Sequence, residues 1–201
     1  MIRVLLAEDQ AMVRGALASL LELEDDIEVV AEVGRGDEVL DRAREVTPDV
    51  ALVDIEMPGR SGLDAAGEIV AELPDCRVLI LTTFGRPGYM RRAMAAGAAG
   101  FLLKDQPASE LASAIRRARA GERVVDPGLA AAALTEGDSP LTPREREVLL
   151  AARELGTVAE LASALHLSPG TTRNHLSAIM QKLDARSRIE AIRVAEQKGW
   201  L

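Results

Sequence analysis

Five short apolar runs punctuate the first 120 residues, at 2–7, 27–31, 50–53, 78–81 and 100–103. Between them lie longer stretches with helical spacing, near 11–23, 36–46, 62–73, 88–97 and 107–120. Few folds tolerate that alternation. Strands that alternate with helices of this length build βαβ units and a parallel sheet. Runs so nearly continuous in Val, Ile, Leu and Ala belong to strands covered on both faces. The expectation is a flavodoxin-like α/β domain, a doubly wound sheet of five parallel strands. Pro87 and Pro107 suit the first turns of its fourth and fifth helices.

The pattern stops near residue 120. Gly121, Pro127, Gly128, Gly137, Asp138, Ser139 and Pro140 break up residues 121–140, which read as a linker with room for a short helix at 129–134. From Leu141 onward only helical spacing remains, near 143–154, 158–165, 169–183 and 187–198. Thr142-Pro143-Arg144-Glu145 has the grammar of a helix start, and Ser168-Pro169 and Ser187 repeat it. Residues 141–201 should form an all-α domain of four short helices. Charge divides at the same place. Residues 1–140 carry 25 acids and 15 bases, a net of -10, whereas residues 141–201 carry 7 acids and 9 bases, a net of +2. An acidic front with a mildly basic tail suggests that only the tail faces an anion. A single cysteine, Cys76, and two histidines leave no disulfide framework and no cysteine or histidine metal site. No apolar run reaches 18 residues, so a cytoplasmic protein without direct membrane binding is expected.

The chemistry sits at the strand ends. Asp54 follows Val50-Ala51-Leu52-Val53 and precedes Met57-Pro58-Gly59. A carboxylate at the end of a buried strand is costly unless a cation or a reaction needs it. Glu8 and Asp9 end the first run, and open α/β sheets bind ligands at the carboxyl edge of their strands. Three carboxylates about 4 Å apart repel by up to ~4 kcal/mol per pair at an effective dielectric near 20. A divalent cation with oxygen preference, such as Mg²⁺, would relieve that. Taken singly, the signals are weak: an acid pair after a strand is often a solvated loop, and Lys104 or Thr82 alone is an ordinary lysine or strand threonine. Glu24-Asp25-Asp26 and Asp105 read as solvated loops. Gly34-Arg35-Gly36 lacks the Gly-Lys-Ser/Thr ending of a phosphate loop. Cys76 reads as structural.

Taken in order, Glu8-Asp9, Asp54, Thr82 and Lys104 resemble the receiver domain of two-component response regulators, over residues 1–120. The interval of 22 residues from Thr82 to Lys104 selects Thr82 over Thr83. The resemblance implies that Asp54 accepts a phosphoryl group from a sensor histidine kinase. It implies that Glu8, Asp9, Asp54 and the Glu56 backbone carbonyl hold Mg²⁺, that Lys104 and Thr82 meet phosphoryl oxygens, and that Phe101 is a switch residue. Phe101 reads equally well as plain core filling.

The tail carries Leu141-Thr142-Pro143-Arg144-Glu145-Arg146-Glu147-Val148-Leu149, Ser168-Pro169-Gly170-Thr171-Thr172-Arg173-Asn174-His175-Leu176 and Lys182-Leu183-Asp184-Ala185-Arg186-Ser187-Arg188. These resemble the helix-turn-helix of NarL/FixJ (LuxR-type) regulators. The family likeness makes 169–183 a recognition helix for the major groove, with Arg173, Asn174 and Ser177 toward bases and Thr171, Lys182 and Arg186 toward phosphates. Leu176, Ile179 and Leu183 should face the core. Thr172 departs from the family's usual Val, so its hydroxyl should lie at the edge of the core or bond locally.

Among NarL/FixJ regulators the chain resembles the DesR-type branch, through Ala7-Glu8-Asp9-Gln10, Asp54-Ile55-Glu56-Met57-Pro58-Gly59, Leu81-Thr82-Thr83-Phe84 and Arg86-Pro87-Gly88-Tyr89. The likeness implies a transcription regulator that dimerises on phosphorylation and grips two-fold double-stranded DNA, with RNA polymerase as a further partner. Membrane-lipid desaturation, or another envelope response, is the process that branch suggests. Arg14, Leu17 and Leu21 with Leu111, Ile115 and Arg119 make one candidate dimer face, which the likeness favours. Arg91-Arg92 of the fourth helix with the fifth helix make another, and Ile189, Ile192 and Val194 are a candidate contact in the tail. Two rivals remain: a phosphorylation-independent DNA binder, and an aspartyl-phosphate phosphatase using Glu56 as acid/base.

Overall fold

The computed structural model describes residues 1–83, 85–135 and 139–201; Phe84 and the linker breakers Gly137 and Asp138 lie outside the described residues. The chain divides into two compact units, Met1–Gly85 with Met90–Ala132, and Ala133–Leu201 with Arg86–Tyr89.

The first unit is built on a parallel sheet of β1 (Ile2–Ala7), β2 (Ile27–Val33), β3 (Val50–Val53), β4 (Arg77–Thr82), β5 (Gly100–Leu103) and β6 (Val124–Val125), in the order β2-β1-β3-β4-β5-β6. Five strands were expected and six are present among the described residues. The sixth is two residues long, too short to carry a periodic signal, and it falls in the segment read as a linker. Phe101 pairs with Val125 across this edge. The helix α6 (Pro127–Thr135) follows it, started by Asp126, whose carboxylate accepts from the Leu129 amide.

Helices α1 (Ala11–Leu21), α2 (Val39–Val46), α3 (Gly62–Glu72), α4 (Pro87–Ala95) and α5 (Ala108–Arg119) connect the strands. Val4, Leu6, Val50, Leu52, Leu79, Leu81 and Leu102 line one sheet face beneath Ala18 and Leu21 of α1 and Ala112 and Ile115 of α5. Alternate residues on the same strands, Leu5, Ala51, Ile80 and Phe101, are fully buried on the other face. Both faces are therefore covered, which is why the strand runs read as continuous apolar segments. Glu24-Asp25-Asp26 is not merely a solvated loop. Arg116 of α5 donates to Glu24 at 2.6 Å and to Asp26 at 2.6 and 2.9 Å, tying the α1–β2 turn to α5.

The second unit contains α7 (Pro143–Glu154), α8 (Val158–Ala164), α9 (Pro169–Lys182) and α10 (Arg188–Gln197). Thr142 with Glu145 and Thr157 with Glu160 form capping boxes, and Ser168 and Ser187 cap α9 and α10 through their hydroxyls. Val148, Leu149, Leu161, Leu176, Ile179, Leu183, Ala191 and Ala195 make the core. Among the described residues, no helix is long and apolar enough to cross a membrane.

Candidate functional site

Register brings the chemistry together. Ala7 pairs with Val53, Val53 with Ile80, and Thr82 with Leu103, so the ends of β1, β3, β4 and β5 share one edge. Backbone bonds continue past the strands: Asp54 donates to the Ala7 carbonyl at 2.9 Å, Glu8 to Val33 at 2.9 Å, and Lys104 to Thr82 at 2.9 Å. Side chains that follow the strands are thus delivered by sheet geometry rather than by free loops. The turn after Asp54 is equally fixed. Gly62 opens α3 against the Asp54 carbonyl, where a Cβ would stand 1.7 Å from the oxygen, and its amide donates to Ile55 at 2.9 Å. Only glycine fits that approach.

Glu8, Asp9 and Asp54 offer carboxylate oxygens that all lie within 4.8 Å of one another. Glu8 is 1% exposed and Asp54 5%. The Lys104 ammonium bridges the two buried acids, 2.5 Å from Glu8 Oε2 and 3.1 Å from Asp54 Oδ2. A cavity of about 240 Å³ opens here, lined by Asp9, Gln10, Asp54, Glu56, Thr82, Thr83 and Lys104. Burial pushes the Asp54 carboxyl up to about 6; the Lys104 charge pulls the other way, and the Glu8 charge adds to the rise. Two buried acids, a third exposed at the rim, and one lysine leave the cluster short of positive charge. Its all-oxygen donor set suits a hard divalent cation that keeps some of its water. The pocket is therefore an acidic one fit for a divalent metal ion.

The structure thus gathers Glu8, Asp9, Asp54, Thr82 and Lys104, with Glu56 at the rim. Phe101 is elsewhere, fully buried on β5 beside Ile80. Gln10 and Thr83 also line the cavity; neither was singled out as a site residue, because each follows a stronger neighbour in sequence. Cys76 is buried and its thiol is pushed up to about 12 by burial, in keeping with a structural role.

On α9 and its C-cap, Thr172, Leu176, Ile179 and Leu183 form the inward stripe. Thr172 is fully buried rather than at the core edge, and its hydroxyl donates to the Ser168 carbonyl at 3.0 Å. Thr171, Arg173, Asn174 and Ser177 are exposed, as is Arg186 beyond the helix. Lys182 differs from expectation: its ammonium sits 2.6 Å from buried Glu145, an ion pair that ties α9 to α7. Burial raises the Glu145 carboxyl, and Lys182 with the Thr142 groups more than offsets this, leaving it below its ordinary range.

The expected α1–α5 face needs correction. Leu21, Leu111 and Ile115 lie in the core, and Leu17 packs against it; the exposed apolar residues on this side are Met12 and Leu20. Arg14 turns inward to the Glu8 carbonyl. In the tail Ile192 and Val194 pack on the helical core, while Ile189 is 75% exposed.

Comparison with known proteins agrees with the geometry. Residues 4–116 match the response regulator receiver domain, and residues 139–195 match the luxR family of bacterial regulatory proteins. The transcriptional regulatory protein DesR of Bacillus subtilis is 47% identical over 200 residues, covering 100% of this chain and 99% of DesR. The regulator YvfU of the same organism is 47% identical over 201 residues, covering all of both chains. The crystal structure of ChrA, a response regulator of a heme-sensing two-component system, is 35% identical with a TM-score of 0.58, covering 100% of this chain and 98% of that one. With a receiver domain, a LuxR-type helix-turn-helix domain and full-length likeness to such regulators, this chain belongs to the NarL/LuxR-type two-component response regulators, in the branch that includes DesR.

Proposed function

We propose that Asp54 is the phosphoacceptor and that its phosphorylation promotes dimerisation and sequence-specific DNA binding. The carrying observation is the buried Glu8–Asp54–Lys104 cluster at the carboxyl edge of the sheet. Glu8, Asp9, Asp54 and the Glu56 carbonyl would hold Mg²⁺. The bound ion would neutralise charge on the phosphoryl oxygens during transfer. An ionised Asp54 oxygen attacks phosphorus in line; the bond from phosphorus to the donor histidine nitrogen breaks, and that nitrogen keeps the electron pair. The product is an acyl phosphate on Asp54. Lys104 then turns from Asp54 to a phosphoryl oxygen, and the Thr82 hydroxyl bonds another. Phe101, buried one strand away, is the packing element that senses the change. Beyond its own phosphotransfer and dephosphorylation the chain turns over no substrate.

Residues 1–120 act as the receiver, 121–140 as the linker and 141–201 as the DNA-binding domain. Arg173, Asn174 and Ser177 read base edges, since Arg can bond guanine and Asn adenine in pairs. Thr171 and Arg186 meet phosphates. Lys182 joins them only by leaving Glu145. A net charge of +2 on the tail is low, so tight binding needs two linked copies on a two-fold site. The partners are a sensor histidine kinase, a second copy, double-stranded DNA and RNA polymerase, in the cytoplasm. Likeness to DesR supports control of membrane-lipid desaturation or another envelope response.

Acetyl phosphate with Mg²⁺ tests the reading. Intact mass should rise by one phosphoryl group on the wild-type chain and not on Asp54→Asn. Sedimentation should then show dimers, and fragments selected from a random DNA pool should bind more tightly. An unlabelled wild-type chain would overturn the phosphoacceptor assignment; equal DNA affinity for both proteins would leave a phosphorylation-independent binder.

A further inference from the structure

Behind the acid pocket lies an arginine whose role no pocket-lining residue reveals. Arg14 sits on the first turn of α1, and its Nη1 donates to the Glu8 backbone carbonyl at 2.6 Å. Its Nε lies 3.5 Å from Glu32 at the end of β2. Arg14 is thus held between the loop that carries Glu8 and Asp9 and the strand next to it. The Gly34-Arg35-Gly36 segment, which is no phosphate loop, closes the arrangement. A Cβ on Gly34 would stand 3.1 Å from Arg14 Nη1. The Gly36 amide donates to the Pro58 carbonyl at 3.0 Å, and a Cβ on Gly36 would meet the Arg60 carbonyl at 1.9 Å. One short segment therefore abuts both the arginine behind Glu8 and the turn that follows Asp54.

We infer that Arg14 is a positioning residue for the cation-binding acids, braced by Gly34 and Gly36. The inference rests on the proposed divalent-cation site and adds a residue to it. Charge alone would make Arg14 a hindrance, because a nearby guanidinium opposes cation binding. Glu32 balances that charge, so what reaches the pocket is position. Without the bond to the Glu8 carbonyl, the Glu8–Asp9 backbone can relax away from Asp54 under the mutual repulsion of the acids. Outer groups that orient ligands commonly govern metal affinity by tenfold or more.

The test uses the full chain and Mg²⁺ alone, by isothermal titration calorimetry without phosphodonor. Arg14→Met should weaken Mg²⁺ binding about tenfold. Its unfolding midpoint in EDTA should fall only by the few degrees that one lost hydrogen bond explains. Arg14→Lys, which keeps a donor, should recover most of the affinity. Gly34→Ala crowds Nη1 without a positive φ to oppose the methyl group. It should weaken binding about threefold in the wild-type background and not at all in the Arg14→Met background, because coupled residues are non-additive. Wild-type affinity in Arg14→Met, or equal effects of Gly34→Ala in both backgrounds, overturns the inference while leaving the cation site intact. A wild-type chain that binds no Mg²⁺ removes the site and the inference together. If Arg14→Met does not fold, Gly34→Ala decides alone, and unchanged affinity refutes the brace.

Discussion

Asp54→Asn should stabilise the receiver when no divalent cation is present, although it removes the proposed phosphoacceptor. The carboxyl is held at about 6 against an ordinary value of 3.8, with burial as the main cause. At 1.36 kcal/mol for each tenfold change, an ionised Asp54 costs the fold about 3 kcal/mol at pH 8. Asparagine must still be desolvated, and Lys104 loses one of its two carboxylates, so about 1–2 kcal/mol of that should be recovered. For a unit of this size the gain corresponds to about 3–8 °C in the unfolding midpoint. The sign follows from linkage: the raised carboxyl favours the folded state fully below its unfolded value near 3.8, and that support is lost as pH rises through 6. The advantage of Asp54→Asn should therefore be largest at pH 8, shrink to near zero around pH 5, where about half of the ionisation cost is gone, and become a disadvantage of about 1–2 kcal/mol below pH 3.8. Differential scanning calorimetry in EDTA measures it. Saturating Mg²⁺ should reverse the order, since only the wild type gains strongly from the ion. A midpoint at or below the wild type at pH 8 in EDTA, or an advantage that grows as pH falls, would refute the reasoning.

Lys104→Met leaves Glu8 and Asp54 facing each other without their cation, which should cost about 3–5 kcal/mol in EDTA by calorimetry, with partial rescue by Mg²⁺. Thr172→Val should change the tail's stability by less than about 1 kcal/mol in denaturant titrations, because the Ser168 carbonyl also accepts the Thr172 amide at 3.0 Å. Arg173→Ala should cost about 1–3 kcal/mol of operator affinity in fluorescence anisotropy and relax preference at one base position, whereas Arg186→Ala should weaken all sequences alike and lower the salt slope by about 1. Glu145→Gln should loosen the α7 cap and the Lys182 pair; because that carboxyl lies below its ordinary range, its contribution is present at neutral pH and fades as pH falls below about 4.5.

The receiver's architecture was legible because its strands are buried on both faces, so each registers as an apolar run, and because Asp54, Thr82 and Lys104 stand at or just past the ends of such runs. Three of the tail helices were legible through their caps: Thr142, Ser168 and Ser187 each accept from an amide three residues on, and Thr157 does the same for α8 without having been read as a cap. Other features left no local trace. Val124–Val125 joins the sheet by pairing with a distant strand, and two residues have no period to read. Leu21 sits on α1, whose exposed side also carries Met12 and Leu20, so spacing did not mark it as core; Leu111 and Ile115 follow the inward stripe of α5, opposite exposed Glu110, Ser113, Arg117 and Arg119, and were legible as core. Lys182 pairs with a residue 37 positions away, and Arg116 with acids some 90 away. Such partners are set by packing, not by neighbours in sequence. For Thr172 the second of two expectations holds: it is buried rather than at the core edge, and the local bond to the Ser168 carbonyl offsets the cost of its hydroxyl inside.

Counting charge in the pocket explains why cation and phosphoryl group should be coupled. Glu8, Asp9 and Asp54, when ionised, bring three negative charges against the one positive charge of Lys104. The excess of two is what one divalent cation neutralises. Without the cation, burial first and the Glu8 charge after it favour keeping a proton on Asp54, whose carboxyl is held at about 6. In the proposed reaction the carboxylate is replaced by an acyl phosphate with two negative charges, so the deficit grows to three without the ion and is only one with it. At an effective dielectric near 20, each uncompensated pair about 4 Å apart costs on the order of 4 kcal/mol. The modified state is then accessible only to a pocket that holds its cation, and the Lys104 ammonium must follow the new phosphoryl oxygens away from Glu8. Its departure leaves Glu8 to the cation alone, and Lys104 follows directly on β5, the strand that carries Phe101. In the proposed switch the route from charge to packing would therefore run along β5, between two residues three positions apart.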